Sequence, residues 1–358
     1  MYTERRHESK MEMPGNPDSG QKLKKKMTHL PARLLRKIRN TSAPHLTPVA
    51  GLLRQLRSRS IAILMYHGVT DEQTAIPDWC QVRVEPFRQQ MEFLSQEYHV
   101  LGLGEVLQRL SNGLPLPERT ACLTFDDGFQ NVYSNAWPVL ARYQLPSTVF
   151  VVTGLLESRL PPWPGRILYA LSNTRLSSIC FDGMEWELSA GLRGQTIYGQ
   201  LVNRIKILPA EERERKAEDL VTALGDGAAV DFRKSPRATL GWNEIQELAS
   251  AGLMCFESHT HTHASLSNCT ADEQRQELKV SRDILRERLR TEDLFCYPFG
   301  DYAPATMKIV AELGYRCGLT TMPGLNPSSP DVYALRRVGI GHGMTAAMFE
   351  MAMLGCFE

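Results

Sequence analysis

From Ile61 onward the chain repeats one texture: a short, continuously apolar run, then a longer segment with apolar residues every three or four positions. Ile61–Tyr66, Ala121–Phe125, Thr148–Val152, Leu253–Glu257, Leu294–Tyr297 and Arg316–Leu319 read as buried strands, too short for helices and bounded by polar residues. Pro86–Glu97, Gly104–Leu110, Asn131–Tyr143, Trp242–Ala251, Ala271–Arg290, Pro304–Leu313 and Met344–Met353 read as the intervening helices. Such alternation predicts an α/β fold, because parallel strands need a crossover that is usually a helix. About seven units favour a closed or nearly closed β/α barrel of parallel strands over an open doubly wound sheet. The 358 residues are enough for a core without disulfide staples. The longest apolar runs fall far short of the ~20 residues a membrane helix needs.

Two segments stand outside the pattern. Residues 1–59 form a basic arm; with residue 60 included they hold 14 Lys/Arg against 4 Asp/Glu, while the rest of the chain is net acidic. A basic arm on an acidic body does not fit a nucleic-acid binder. Leu34, Leu35, Ile38, Leu52, Leu53 and Leu56, set among arginines, allow one or two short amphipathic helices. Those would make weak contact with an anionic membrane, or else pack on the domain or trail as a solvated tail. The barrel then occupies 60–358. Within it, 155–240 breaks the alternation with Pro161-Pro162-Trp163-Pro164-Gly165, a hairpin-like Cys180–Leu188 and a charged helical stretch at 210–221. This is an insertion on one βα loop, where barrels carry function, and it is expected to shape a substrate cleft. The eight cysteines include no CxxC pair, and several sit in strand-like runs, as in a reducing compartment. Met1 to Gly20 has no continuous apolar stretch of the secretory type. The expectation is a cytoplasmic protein, peripheral at the inner membrane face.

Chemistry concentrates where strands end. Asp126 and Asp127 follow Ala121–Phe125 and precede Gly128. Neighbouring side chains leaving a strand diverge, so one carboxylate can hold a cation while the other stays free as a base, kept ionised by that cation. Glu257-Ser258-His259-Thr260-His261-Thr262-His263 gathers three of the nine histidines behind another strand. His259 and His263, four apart, can present both imidazoles to one side, with His261 pointing away. Two neutral imidazoles and one carboxylate make a three-ligand site with open positions, the pattern of a catalytic metal. In Phe295-Cys296-Tyr297-Pro298-Phe299-Gly300, a Pro–Gly bend can aim a backbone N–H into the same mouth. His67, directly after the first strand, shares that face.

Thr124–Gly128, Ser258–His263 and Tyr297–Gly300, in this order, resemble the polysaccharide deacetylase family (carbohydrate esterase family four), over roughly residues 60–345. That resemblance implies metal-dependent removal of N- or O-acetyl groups from carbohydrate inside an incomplete β/α barrel. It implies Asp126 as general base, and Asp127, His259 and His263 as ligands of one divalent metal, usually zinc. A water activated by that metal would be the nucleophile. The backbone N–H of Phe299 would join the metal in stabilising the oxyanion. The chain departs from the family in one place: Cys296 stands where the third motif usually has the arginine that orients the base. Tyr66-His67 resembles a subgroup whose catalytic acid comes from the N-terminal strand, so His67 is preferred as acid over His342 at the usual C-terminal place. A carboxylate nearby is expected to raise the His67 pKa. The activity implied is N-deacetylation of a polysaccharide, and a location at the inner membrane face would also fit a lipid-linked glycan as substrate. The alternatives are an O-acetyl esterase on the same site and a catalytically inert sugar-binding or scaffold protein.

Overall fold

The computed structural model describes residues 51–52, 55–225 and 231–356. Nearly all of the basic arm, and with it the expected membrane contact, lies outside the described residues. Parallel strands build the frame: β1 Ile61–Tyr66, β2 His99–Val100, β3 Thr120–Phe125, β4 Ser147–Val151, β5 Met254–Ser258, β6 Leu319–Pro323 and β7 Leu335–Gly339. Their order is β6-β7-β1-β3-β4-β5, with the short β2 also pairing β3. Between β5 and β6 the stave Leu294–Tyr297 makes only single parallel bridges, Ser258 to Phe295 and Cys296 to Leu319. The ring is therefore an incomplete barrel of parallel strands.

Strand alternation sorts the side chains. On β1, Ala62, Leu64 and Tyr66 face the outer helices, while Ile61 and Ile63 fill the interior with Cys122, Phe150, Cys296, Leu319 and Leu335. Continuous apolar runs are needed because both faces are buried. A Leu64→Ala change there costs about 2–5 kcal/mol. The same alternation carries chemistry to the mouth. On β3 the inward residues run Cys122, Thr124 and then Asp126; on β1 they run Ile63, Met65 and then His67; on β7 Leu335 is followed inward by Arg337.

Around the frame lie α1 Val84–Glu97, α2 Leu103–Ser111, α3 Trp137–Tyr143, α7 Trp242–Ser250, α8 Ala271–Arg288, α9 Pro304–Glu312 and α10 Ala346–Met353. The insertion adds α4 Trp163–Asn173, α5 Gly191–Lys206, α6 Ala210–Leu224 and the hairpin Ser178–Phe181 with Met184–Glu187. These share a small core of their own, including Trp163, Ile167, Leu201, Ile205, Leu220 and Leu224. Some elements differ from the sequence reading. The strand expected at Arg316–Leu319 starts at Leu319 instead. The first part of the expected helix Asn131–Tyr143 is a π-helical turn, Val132–Ala136. β7, α4 and α5 were not expected. No helix among the described residues is long and apolar enough to cross a membrane.

Candidate active site

Asp126 is fixed by an arginine from a distant strand. Arg337 donates Nη1 to Asp126 Oδ1 and Nη2 to Oδ2, both at 2.7 Å. Its remaining donors go to Thr320 O at 2.7 Å, Thr124 Oγ1 at 3.3 Å and Cys296 Sγ at 3.1 Å. Burial opposes the charge on Asp126, but the guanidinium outweighs it and holds the carboxyl below its usual range. Arg337 fills the place left by Cys296, whose thiol lies 3.6 Å from Asp126 Oδ2. The sequence reading missed it. The available signal was the arginine pair Arg336-Arg337 between Leu335 and Val338, of which Arg337 takes the inward, buried position.

Asp127 turns away from its neighbour through a left-handed backbone, φ 67°. Gly128 follows at the same φ, and a Cβ on it would lie 2.7 Å from Val151 Cγ1, so glycine is required there. Asp127 Oδ1 lies 3.4 Å from His259 Nε2 and 3.2 Å from His263 Nε2. The three ligand atoms lie within 4.8 Å of one another, and all three residues are buried. His259 Nδ1 lies 2.8 Å from Cys296 O. A carbonyl only accepts, so Nδ1 carries a hydrogen, and Nε2 is the ring atom left to face the Asp127 carboxylate. Burial opposes charging His259, but the Cys296 side chain and the Asp127 carboxylate outweigh it and raise its pKa well above the ordinary value, so without a cation Nε2 holds a proton where a cation would sit. Burial lowers that of His263 despite Asp127. Asp127, which burial alone would push up, is held well below the usual range by the two imidazoles. The pocket thus calls for positive charge between acceptors, and the donor set fits a divalent cation.

His261 faces elsewhere, its Nδ1 3.1 Å from Thr153 Oγ1. Phe299 lies on the short turn Pro298–Gly300 with φ +60°, and its ring packs on His263 at 4.7 Å. A Cβ on Gly300 would sit 2.7 Å from Thr321 N, so this turn admits only glycine. From the insertion, Trp163 packs at a tilt against Phe299, ring centroids 5.9 Å apart, and Lys206 Nζ lies 5.1 Å over the Phe299 ring.

His67 is brought to the same mouth, its ring 5.1 Å from Trp79 and 6.5 Å from Phe129. Its Nδ1 is buried without a partner. The expected upward shift of its pKa is not found. Burial and the Arg337 charge outweigh Asp126 and Asp127, and the net direction is down. His342 is exposed and lines a different pocket of about 350 Å³ with Thr70, Asp78 and Gln81. Its backbone N–H, not its ring, serves the site by holding Trp79 O at 3.0 Å.

The family model for polysaccharide deacetylase matches residues 113–318, more than half of the chain. The chain belongs to the polysaccharide deacetylase family, whose members are hydrolases of acetyl groups on carbohydrate. Bacillus subtilis YxkH, a protein named for the same family, is 22% identical over 291 residues, 81% of this chain and 74% of that one. The Escherichia coli poly-β-1,6-N-acetyl-D-glucosamine N-deacetylase is 33% identical over 85 residues, 24% of this chain and only 12% of that enzyme. The Streptococcus pyogenes deacetylase PplD, solved with acetate, shares the fold with a TM-score of 0.56 and 24% identity, over 82% of this chain and 98% of its own. His67 and Arg337 both lie outside the span that the family model matches.

Proposed function

We propose that this chain is a metal-dependent deacetylase that removes N-acetyl groups from a polysaccharide or glycan intermediate. The observation that carries the reading is an ionised Asp126, locked by Arg337, beside three converging acceptors on Asp127, His259 and His263. A divalent cation held by those three, on this reading Zn²⁺, would polarise the acetyl carbonyl and lower the pKa of a water. Asp126 takes the proton of the attacking water, as a base kept ionised at neutral pH by its arginine. The backbone N–H of Phe299 serves the developing oxyanion. His67 delivers the proton to the departing amine, and its lowered pKa makes it a readier donor once protonated. An amine leaves poorly without that proton, so the acid matters more for amides than for esters. An inert scaffold would be favoured if the base lacked an orienting arginine, and Arg337 takes that part here. The short segment resembling a poly-β-1,6-N-acetyl-D-glucosamine N-deacetylase supports an N-acetylhexosamine polymer as substrate.

The test compares N-acetylglucosamine oligomers with O-acetylated sugars, measuring acetate and new primary amine. Equal release of amine and acetate from the N-acetylated oligomer is expected. Acetate from the O-acetylated sugar alone would make the protein an esterase.

A further inference from the structure

The loop that carries both histidine ligands is held in an unfavourable shape. Thr260 has φ 65° and His263 φ 58°, left-handed values at residues with side chains, one of them β-branched. Such a loop persists only where its surroundings over-determine it. One carboxylate on α8 does much of this. Glu277 Oε2 accepts the backbone N–H groups of His261 and Thr262, each at 2.9 Å. Its Oε1 accepts the Thr262 hydroxyl at 2.6 Å. One turn further along α8, the hydroxyl of Ser281 meets that of Ser258 at 2.8 Å, tying this helix to β5 just before the loop begins. The start of α8 is fixed by a capping box: Thr270 accepts from Glu273 N, and Glu273 accepts from Thr270 N.

The insertion closes the same network from the other side. Arg213 lies on the inward face of α6 with Ala217, Leu220 and Leu224, and is 1% exposed. Its Nη2 donates to Thr262 Oγ1 at 3.1 Å, the hydroxyl that itself donates to Glu277. Among the described residues no carboxylate is paired with Arg213, and its Nε has no partner. A buried guanidinium spent on one hydroxyl of the ligand loop is a costly placement, which points to the loop as its purpose.

We infer that Glu277 and Arg213, acting through Thr262, are positioning residues for the His259–His263 loop, so that the insertion helps build the metal centre. This rests on the metal reading above. Two measurements separate the two ideas: Zn²⁺ titration, and amide hydrogen exchange of the metal-free protein. Glu277→Gln keeps shape and leaves one acceptor oxygen; Thr262→Val removes the shared hydroxyl; Thr262→Ser restores it. Glu277→Gln and Thr262→Val should bind Zn²⁺ about 10–100-fold more weakly, the usual effect of losing a group that orients a ligand. In both, exchange should quicken at His261 and Thr262 without metal, while exchange in β3 and β4 stays unchanged. Thr262→Ser should match the wild type in both assays. Wild-type affinity and exchange in Glu277→Gln and Thr262→Val would overturn the inference. So would weaker binding without any local change in exchange. If the wild type binds no Zn²⁺ but the exchange pattern appears, the loop clamp stands and the metal reading falls.

Discussion

Replacing Arg337 by Met tests how the base is made. Met keeps an unbranched apolar stem of similar reach and removes the charge. The Arg337 side chain is 0% exposed and that of Asp126 is 4%, so solvent screens this pair little. At about 4 Å and an effective dielectric of about 20, the lost attraction is about 4 kcal/mol. At about 1.4 kcal/mol per pH unit that is roughly three units. Burial, no longer opposed, drives the Asp126 pKa the same way. The acid limb of the kcat/KM profile for acetate release should therefore move up by roughly two to three pH units. Removing one partner of a buried pair also costs about 3–5 kcal/mol of stability, less whatever Asp126 recovers by taking up a proton. The sign follows from linkage. The folded-state pKa lies below the ordinary 3.8, so the wild-type pair stabilises fully above about pH 4 and is lost as pH falls through the lower folded value. The variant should lack that dependence in thermal unfolding. Cys296 Sγ is 3.6 Å from Asp126 Oδ2, so an arginine at 296 can reach the same carboxylate. Cys296→Arg combined with Arg337→Met should move the acid limb back. An acid limb that stays put in a folded Arg337→Met protein would refute the assignment of Asp126 as the base held by Arg337.

Ala at Asp127, His259 or His263 should each remove stoichiometric metal, measured by elemental analysis; wild-type metal content in all three would place the site elsewhere. His67→Ala should leave metal content intact and lower amide turnover by roughly 10²–10⁴-fold, with a smaller loss on an aryl acetate. His342→Ala, which changes an exposed ring outside the mouth, should do little; the opposite ranking would make His342 the acid. A chain starting near Arg59 should keep full activity on soluble substrate, since every proposed ligand and catalytic group lies beyond it. Loss of activity in a truncated protein with unchanged thermal unfolding would give the arm a catalytic part.

What could be read from sequence followed from periodicity. Continuous apolar runs such as Ile61–Tyr66 revealed doubly buried strands, and the same period of two carried Asp126 and His67 inward at the mouth. The aspartate pair and the spaced histidines were legible because ligand types cluster within a few residues. Arg337 was not, because it meets Asp126 from 211 positions away, and Arg336 beside it broke the apolar signature of β7. Helix α4 was hidden by Pro162, Trp163, Pro164 and Gly165, read as an interruption; proline is tolerated in a first helical turn, and one lies there. Helix α5 was hidden by its glycines at 191, 194 and 199, weak helix formers held in place by packing on the insertion core. Glu277 and Arg213 carry no local motif at all, because their roles exist only once α6 and α8 meet the ligand loop.

The most direct test of the central claim is acetate release from an N-acetylglucosamine oligomer by protein stripped of metal and then titrated with Zn²⁺. Activity should be absent in the stripped protein and rise to a plateau at one equivalent, while Asp127→Ala stays inactive at the same concentrations. Full activity in the stripped protein, or equal rescue of Asp127→Ala, would contradict a single functional cation held by Asp127, His259 and His263.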